Sequence, residues 1–136
     1  MSAKDVLKLM KSKNIEFVDL RFTDPRGKLQ HLTMDTTIVD EGMLNDGVFF
    51  DGSSIAGWKA INESDMILKP DLSRKVIDPY TSHNTLILFC DILDAVKRDP
   101  YERDPRGIAK KAEAYLKKTG IGDTAYFGPE PEFFVF

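Results

Sequence analysis

Glu130 and Glu132, set in the run Gly128-Pro129-Glu130-Pro131-Glu132, form a pair whose type and spacing could do chemistry. Pro131 disfavours the helical region for the residue before it, so Glu130 is expected in an extended conformation. In an extended chain, positions i and i+2 share a face, and the strand rise puts their backbones about 6–7 Å apart. Two carboxylates facing one cavity repel, and each resists ionisation unless positive charge intervenes. A hard divalent cation, Mg²⁺ or Mn²⁺, is the usual answer to clustered carboxylate oxygens. The prolines also remove backbone donors, which requires a sheet edge, a bulge or the lining of a cleft. An exposed strand whose acids and prolines merely protect an edge has the same pattern. Spacing alone leaves both open.

The second segment is Phe50-Asp51-Gly52-Ser53-Ser54, continuing through Ile55-Ala56-Gly57-Trp58 to Glu63-Ser64-Asp65. Asp and Ser cap nearby backbone amides and glycine permits positive φ, so Asp51–Ser54 is turn material. No Gly-Lys-Ser/Thr follows, which excludes a Walker-type phosphate loop. Trp58 is expected to pack at a subunit contact. His31 and His83 lack a partner at ligand spacing and read as structural or solvent-facing. Arg103 and Arg106 read as linker solvation or helix-start contacts. Cys90 lies in the apolar run Leu86-Ile87-Leu88-Phe89-Cys90, with no basic neighbour or helix start to activate it, and reads as structural. A single cysteine forms no intrachain disulfide, and a reducing compartment fits.

The elements that must position these residues are partly legible. Ser2 and Asp5 resemble a capping box, with Val6, Leu7 and Met10 as an apolar stripe and Asn14 as a stop. Val18, Leu20 and Phe22 alternate with Asp19, Arg21 and Thr23, a half-buried strand. Asp24-Pro25-Arg26-Gly27 turns the chain into a second strand near 28–35, giving a hairpin. Residues 36–47 allow a short helix. A loop is expected over 51–63, a short strand at 66–68, and an irregular stretch bracketed by Pro70 and Pro79. Thr85–Leu93 is apolar almost throughout and is expected at the centre of a sheet. The charged segment 97–103 reads as a linker. A helix then starts at Asp104-Pro105, buries Ile108, Ala112, Tyr115 and Leu116, and stops at Gly120. A strand from about Thr124 to Phe136 closes the chain.

With 136 residues, the chain holds one domain, or one and a piece of another. Nineteen basic against 22 acidic side chains, with no long single-sign block, argue against nucleic acid or a membrane surface as partner. No apolar stretch reaches spanning length and no signal-peptide pattern opens the chain, so a cytoplasmic protein is expected. The run Phe133-Phe134-Val135-Phe136 would leave a hydrophobic strand end in water, which suggests a cut through a larger protein.

Taken with their flanks, the two segments are specific. Phe50-Asp51-Gly52-Ser53-Ser54, eight residues, Glu63-Ser64-Asp65, then Leu68 resembles the N-terminal signature of bacterial-type glutamine synthetases. Asp104-Pro105-Arg106, leading to Tyr126-Phe127-Gly128-Pro129-Glu130-Pro131-Glu132-Phe133-Phe134, resembles the entry to their catalytic domain. The likeness runs along the whole chain in order.

That resemblance implies an α+β architecture. A β-grasp (ubiquitin-like) domain would occupy residues 1–103, and residues 104–136 would begin a catalytic domain that this chain does not finish. It implies a homo-oligomeric parent, a dodecamer of two stacked six-subunit rings, with active sites between neighbours in a ring. In the family, ATP phosphorylates the γ-carboxylate of glutamate and ammonia displaces phosphate. By match of motif, Glu130 looks like a ligand of the metal on the nucleotide phosphates and Glu132 like a ligand of the metal nearer glutamate. Asp51 matches the residue that binds ammonium and aids its deprotonation, and Ser54 one that lines the same site. The fragment alone is expected to be inactive. Two alternatives stay open: a ligase that joins glutamate to a polyamine or other amine, and a non-catalytic β-grasp interaction module.

Overall fold

A computed structural model describes residues 1–58 and 64–136 of the chain. Helix α1 (Ala3–Ser12) opens as its sequence requires. The Asp5 amide donates to Ser2 Oγ at 3.3 Å, and the Ser2 amide donates back to Asp5 Oδ2 at 3.0 Å. These bonds satisfy two donors that a helix start otherwise leaves orphaned. Asn14 ends the turn at φ 49°, a left-handed conformation that asparagine tolerates better than most residues. Ala3, Val6 and Met10 form the buried stripe.

Strands β1 (Phe17–Thr23) and β2 (Leu29–Asp35) pair antiparallel, with Thr23 opposite Leu29. The turn between them is organised by the Asp24 carboxylate, which accepts from the amides of Arg26 and Lys28, both at 2.9 Å. Gly27 sits at φ 83°, where a side chain would be strained. A 3₁₀ turn at Thr36–Ile38 and helix α2 (Glu41–Asp46) lead into β3 (Val48–Asp51). Strands β4 (Asp65–Ile77) and β5 (Thr85–Asp94) complete a five-stranded sheet in the order β2-β1-β5-β4-β3. As its composition predicts, β5 is central, parallel to β1 and antiparallel to β4. Val18, Leu20 and Phe22 of β1 and Leu86, Leu88, Cys90 and Ile92 of β5 join Val6, Met10 and Leu44 in one core. Each large aliphatic side chain removed from water there contributes about 1.5–3 kcal/mol. A helix laid on a mixed sheet with a parallel central pair is the α+β, β-grasp arrangement that the resemblance implies.

Four expectations need correction. Pro70 does not begin an irregular stretch but lies inside β4 opposite Cys90, and the pairing register shifts between Pro70 and Lys75. A bulge of this kind accommodates the donor that proline lacks. Residues 97–103 are not a free linker: the Tyr101 amide donates to the Ile92 carbonyl at 2.9 Å, and Pro100 bridges to Leu93. Helix α3 (Pro105–Thr119) starts and stops as expected, with Asp104 as N-cap and Gly120 at φ 71°. However, Ile108, Ala112 and Tyr115 are exposed, and only Leu116 of the expected buried face is partly covered. Finally, Thr124–Phe136 forms no strand and is exposed, since none of the described strands pairs with it. The expected 51–63 loop falls partly outside the described residues, as does Glu63.

Candidate functional site

Asp51 ends edge strand β3, opposite Asp65 at the start of β4. The chain then turns through a short 3₁₀ segment, Gly52–Ser54. This turn builds itself from its own residues. Asp51 Oδ1 accepts from the Ser53 amide at 2.8 Å and the Ser53 hydroxyl at 2.6 Å, while the Gly52 amide donates to the Ser64 carbonyl at 2.7 Å. The Ser53 hydroxyl and then its amide hold the Asp51 carboxyl below the usual carboxylate range, and the hydroxyls of Ser64 and Ser54 add to this. Asp51 is therefore an exposed anion at neutral pH, fixed in direction by Ser53. Ser54 is exposed on the same turn.

Gly52 is buried beneath the turn. A Cβ there would fall 2.2 Å from Met66 Sδ and 2.9 Å from the Ser64 carbonyl oxygen. Only glycine lets β3 and the turn lie this close to β4.

Trp58 is not at the surface but 5% exposed in the core. Its ring stacks on Phe22 at 5.7 Å and meets Phe50 and Tyr101 edge-on, each at 6.0 Å. Its Nε1 has no hydrogen-bond partner among the described residues. Two residues from the 101–106 segment reach back to this loop. The Tyr101 hydroxyl donates to the Trp58 carbonyl at 3.2 Å, and Arg103 Nη1 donates to the Gly57 carbonyl at 3.1 Å. Arg103 thus does more than solvate a linker. Nothing in its charged neighbourhood signals that role. Arg106 makes the helix-start contact expected of it, donating from Nε to Asp91 at 2.8 Å and pairing through Nη2 with Asp71.

The other singled-out residues divide. Cys90 is buried, and burial pushes its thiol well above the ordinary value, so it is a packing residue. The histidines are not isolated: His31 Nδ1 lies 2.9 Å from Asp19 Oδ1, and His83 Nδ1 lies 3.2 Å from Glu16 Oε2. Burial raises the Asp19 carboxyl, but bonds from Arg21, His31 and Thr33 more than offset it, leaving the group below its usual range. These side chains border a cavity of about 420 Å³ on the sheet face away from the core.

Glu130 and Glu132 lie exposed in the irregular segment after α3, which pairs with none of the described strands. They are oxygen donors of the kind hard cations take, but two carboxylates fall short of the six or more oxygens such ions need. Among the described residues no group of three His, Cys, Asp or Glu side chains is arranged to hold a metal.

Comparison with known proteins extends this geometry. A family model described as "Glutamine synthetase, beta-Grasp domain" matches residues 14–95, and one described as "Glutamine synthetase, catalytic domain" matches residues 102–136. A glutamine synthetase of Rhizobium meliloti is 64% identical over 135 residues, covering 99% of this chain and 29% of that protein. A protein of Cupriavidus pinatubonensis named 3-hydroxylaminophenol mutase is 55% identical over 135 residues, with the same coverage of 99% and 29%. The chain thus spans under a third of the length of these curated relatives. Among solved structures, a Plasmodium falciparum glutamine synthetase superposes with a TM-score of 0.80 at 26% identity, covering 90% of this chain and 24% of that one.

Proposed function

The chain belongs to the glutamine synthetase family, and from that premise we propose that it is the N-terminal part of an ATP-dependent glutamate–ammonia ligase. The whole protein makes glutamine in the cytoplasm through a γ-glutamyl phosphate. Residues 1–103 are its β-grasp domain and residues 104–136 the beginning of its catalytic domain. It assembles from identical subunits, as a dodecamer of two six-membered rings, so that the Asp51 turn of one subunit completes the active site of its neighbour.

Asp51 carries the reading. Ammonium predominates at neutral pH, yet only neutral ammonia has a lone pair to attack with. An exposed carboxylate that stays ionised and is locked in direction by Ser53 suits capture of the cation. Its negative charge holds ammonium, and a proton then leaves nitrogen for a basic oxygen. Ammonia attacks the acyl carbon, the carbon–oxygen bond to phosphate breaks, and phosphate departs with the bonding pair. Ser54, exposed on the same turn, lines this pocket. Glu130 and Glu132 would hold Mg²⁺ or Mn²⁺, Glu130 toward the nucleotide phosphates and Glu132 toward glutamate, with the remaining ligands supplied by the rest of the protein. When bound, such ions absorb charge on the transferring phosphoryl oxygens.

In the full-length protein, Asp51→Asn should raise the KM for ammonium by tenfold or more while the KM for ATP changes little. Glu130→Gln and Glu132→Gln should each weaken Mn²⁺ binding by roughly tenfold or more, since loss of even an outer-shell partner of a metal costs about that much. Unchanged Mn²⁺ binding and unchanged activity in both Gln variants would instead favour a non-catalytic interaction module. Larger amines tested as acceptors beside ammonia separate this ligase from one that uses another amine.

A further inference from the structure

Gly57 and Trp58 end the described part of the loop that begins at Asp51, and their two consecutive carbonyls both accept hydrogen bonds from the segment before α3. Arg103 Nη1 reaches the Gly57 oxygen at 3.1 Å, and the Tyr101 hydroxyl reaches the Trp58 oxygen at 3.2 Å. Gly57 lies at φ 90°, so this carbonyl pair is presented by a conformation that few other residues would hold. The donors rest on a rigid base. Tyr101 is tied to central strand β5 through its amide on the Ile92 carbonyl at 2.9 Å, and Asp104 Oδ2 accepts from the Ile92 amide at 3.1 Å. Asp104 is also the N-cap of α3, so the segment continues without slack into that helix. Between these anchors, Trp58 is gripped by Phe22, Phe50 and Tyr101.

On the loop's other side, Ser53 orients Asp51, and the Ile55 and Trp58 amides bond in sequence to the carbonyls of Gly52 and Ile55, at 3.1 and 3.2 Å. The bonds form one chain: β5 to the 101–104 strap, strap to Gly57 and Trp58, loop to turn, turn to Asp51. We propose that Tyr101 and Arg103 are positioning residues, which fix the Asp51–Ser54 turn against the first helix of their own subunit's catalytic domain. This rests on the reading of Asp51 as the ammonium ligand.

The experiment uses the full-length protein, with Tyr101→Phe, Arg103→Ala, Arg103→Lys, the Phe/Ala double variant and Asp51→Asn measured side by side. Tyr101→Phe keeps the ring on Trp58 and removes the hydroxyl that donates to its carbonyl. Each single loss should raise the KM for ammonium roughly fivefold, the effect of one hydrogen bond, and the double variant should exceed either. The KM values for glutamate and ATP should stay within about twofold. Arg103→Lys, which can still donate to Gly57, should recover most of the loss. Amide hydrogen exchange at Ile55 and Trp58 should speed up in the double variant, with no change in the Tm. An unchanged ammonium KM in the double variant, with Asp51→Asn still raising it, overturns the proposal and spares the reading of Asp51. An Asp51→Asn variant with unaltered ammonium KM overturns both. A drop in Tm with all three KM values rising together assigns Tyr101 and Arg103 to folding alone and also overturns the proposal.

Discussion

Asp51 and Gly52 divide one task between adjacent residues: the first presents a charge, and the second lets the backbone carrying it lie against β4. A carboxylate whose folded-state pKa is depressed stays ionised to a lower pH than a free one, so Asp51 keeps its charge throughout the range in which ammonium is abundant. Gly52 has no such freedom to vary. The methyl group of alanine would meet Met66 Sδ, which can swing away, but also the Ser64 carbonyl, which is fixed in the backbone. Overpacking of this kind costs typically 1–3 kcal/mol. Gly52→Ala should therefore lower the free energy of unfolding by an amount in that range, seen as a lower denaturation midpoint at unchanged slope. On the proposed role of Asp51, it should also weaken ammonium binding by the full-length protein, because the turn moves. An alanine variant with unaltered midpoint would mean that β3 and β4 are not held this close. The sequence Asp-Gly-Ser-Ser announces a turn, but the need for glycine comes from Met66 and Ser64, more than ten residues on, and only packing reveals it.

At the scale of elements, the β1–β2 hairpin depends on a buried acid as much as on alternating apolar residues. Asp19 is 4% exposed and accepts from Arg21 Nε at 2.7 Å and Thr33 Oγ1 at 2.9 Å, joining β1 to β2 and, through Arg21, to Asp78. Its folded-state pKa is lowered, so it contributes stability above its unfolded value near 3.9 and loses that contribution as pH falls through the lower folded value. Asp19→Asn, which leaves one oxygen to serve these donors, should cost about 1–3 kcal/mol at pH 7. The gap between variant and parent should narrow below about pH 4, as measured by urea unfolding at a series of pH values. A constant gap across that range would show that the charge on Asp19 is irrelevant. Elements whose signals are local were legible in the sequence: the Ser2–Asp5 capping box, the Asp24–Gly27 turn, the apolar β5, the Asp104-Pro105 start of α3. Pro70 misled because a bulge within β4 tolerates it, and a bulge is defined by two strands together. Trp58 misled because its neighbours, Phe22 and Tyr101, are distant in sequence.

The molecule as a whole has two kinds of apolar surface. The core, with α1 and α2 on one face of the sheet, is closed. Beyond it, Ile108 and Tyr115 on α3 and Phe127, Phe133, Phe134 and Phe136 after it are exposed. The periodicity of α3 does predict an apolar stripe, but periodicity identifies a face without supplying what covers it. The same holds for 124–136, where β-forming residues have no ladder to join among the described strands. Surface of this kind associates, since each exposed aromatic side chain gains by leaving water. The 136-residue chain, made alone, should therefore self-associate in a concentration-dependent way and bind apolar dyes, as sedimentation and fluorescence would show. Replacing Ile108, Tyr115, Phe133 and Phe134 by serine should make it monomeric. The thermal midpoint of the sheet domain should stay within a few degrees, because none of these four side chains belongs to the core. A midpoint that collapses with the substitutions would mean that α3 and the tail are part of what holds the β-grasp domain together. In that event the boundary proposed at residue 104 does not separate two independently folding units.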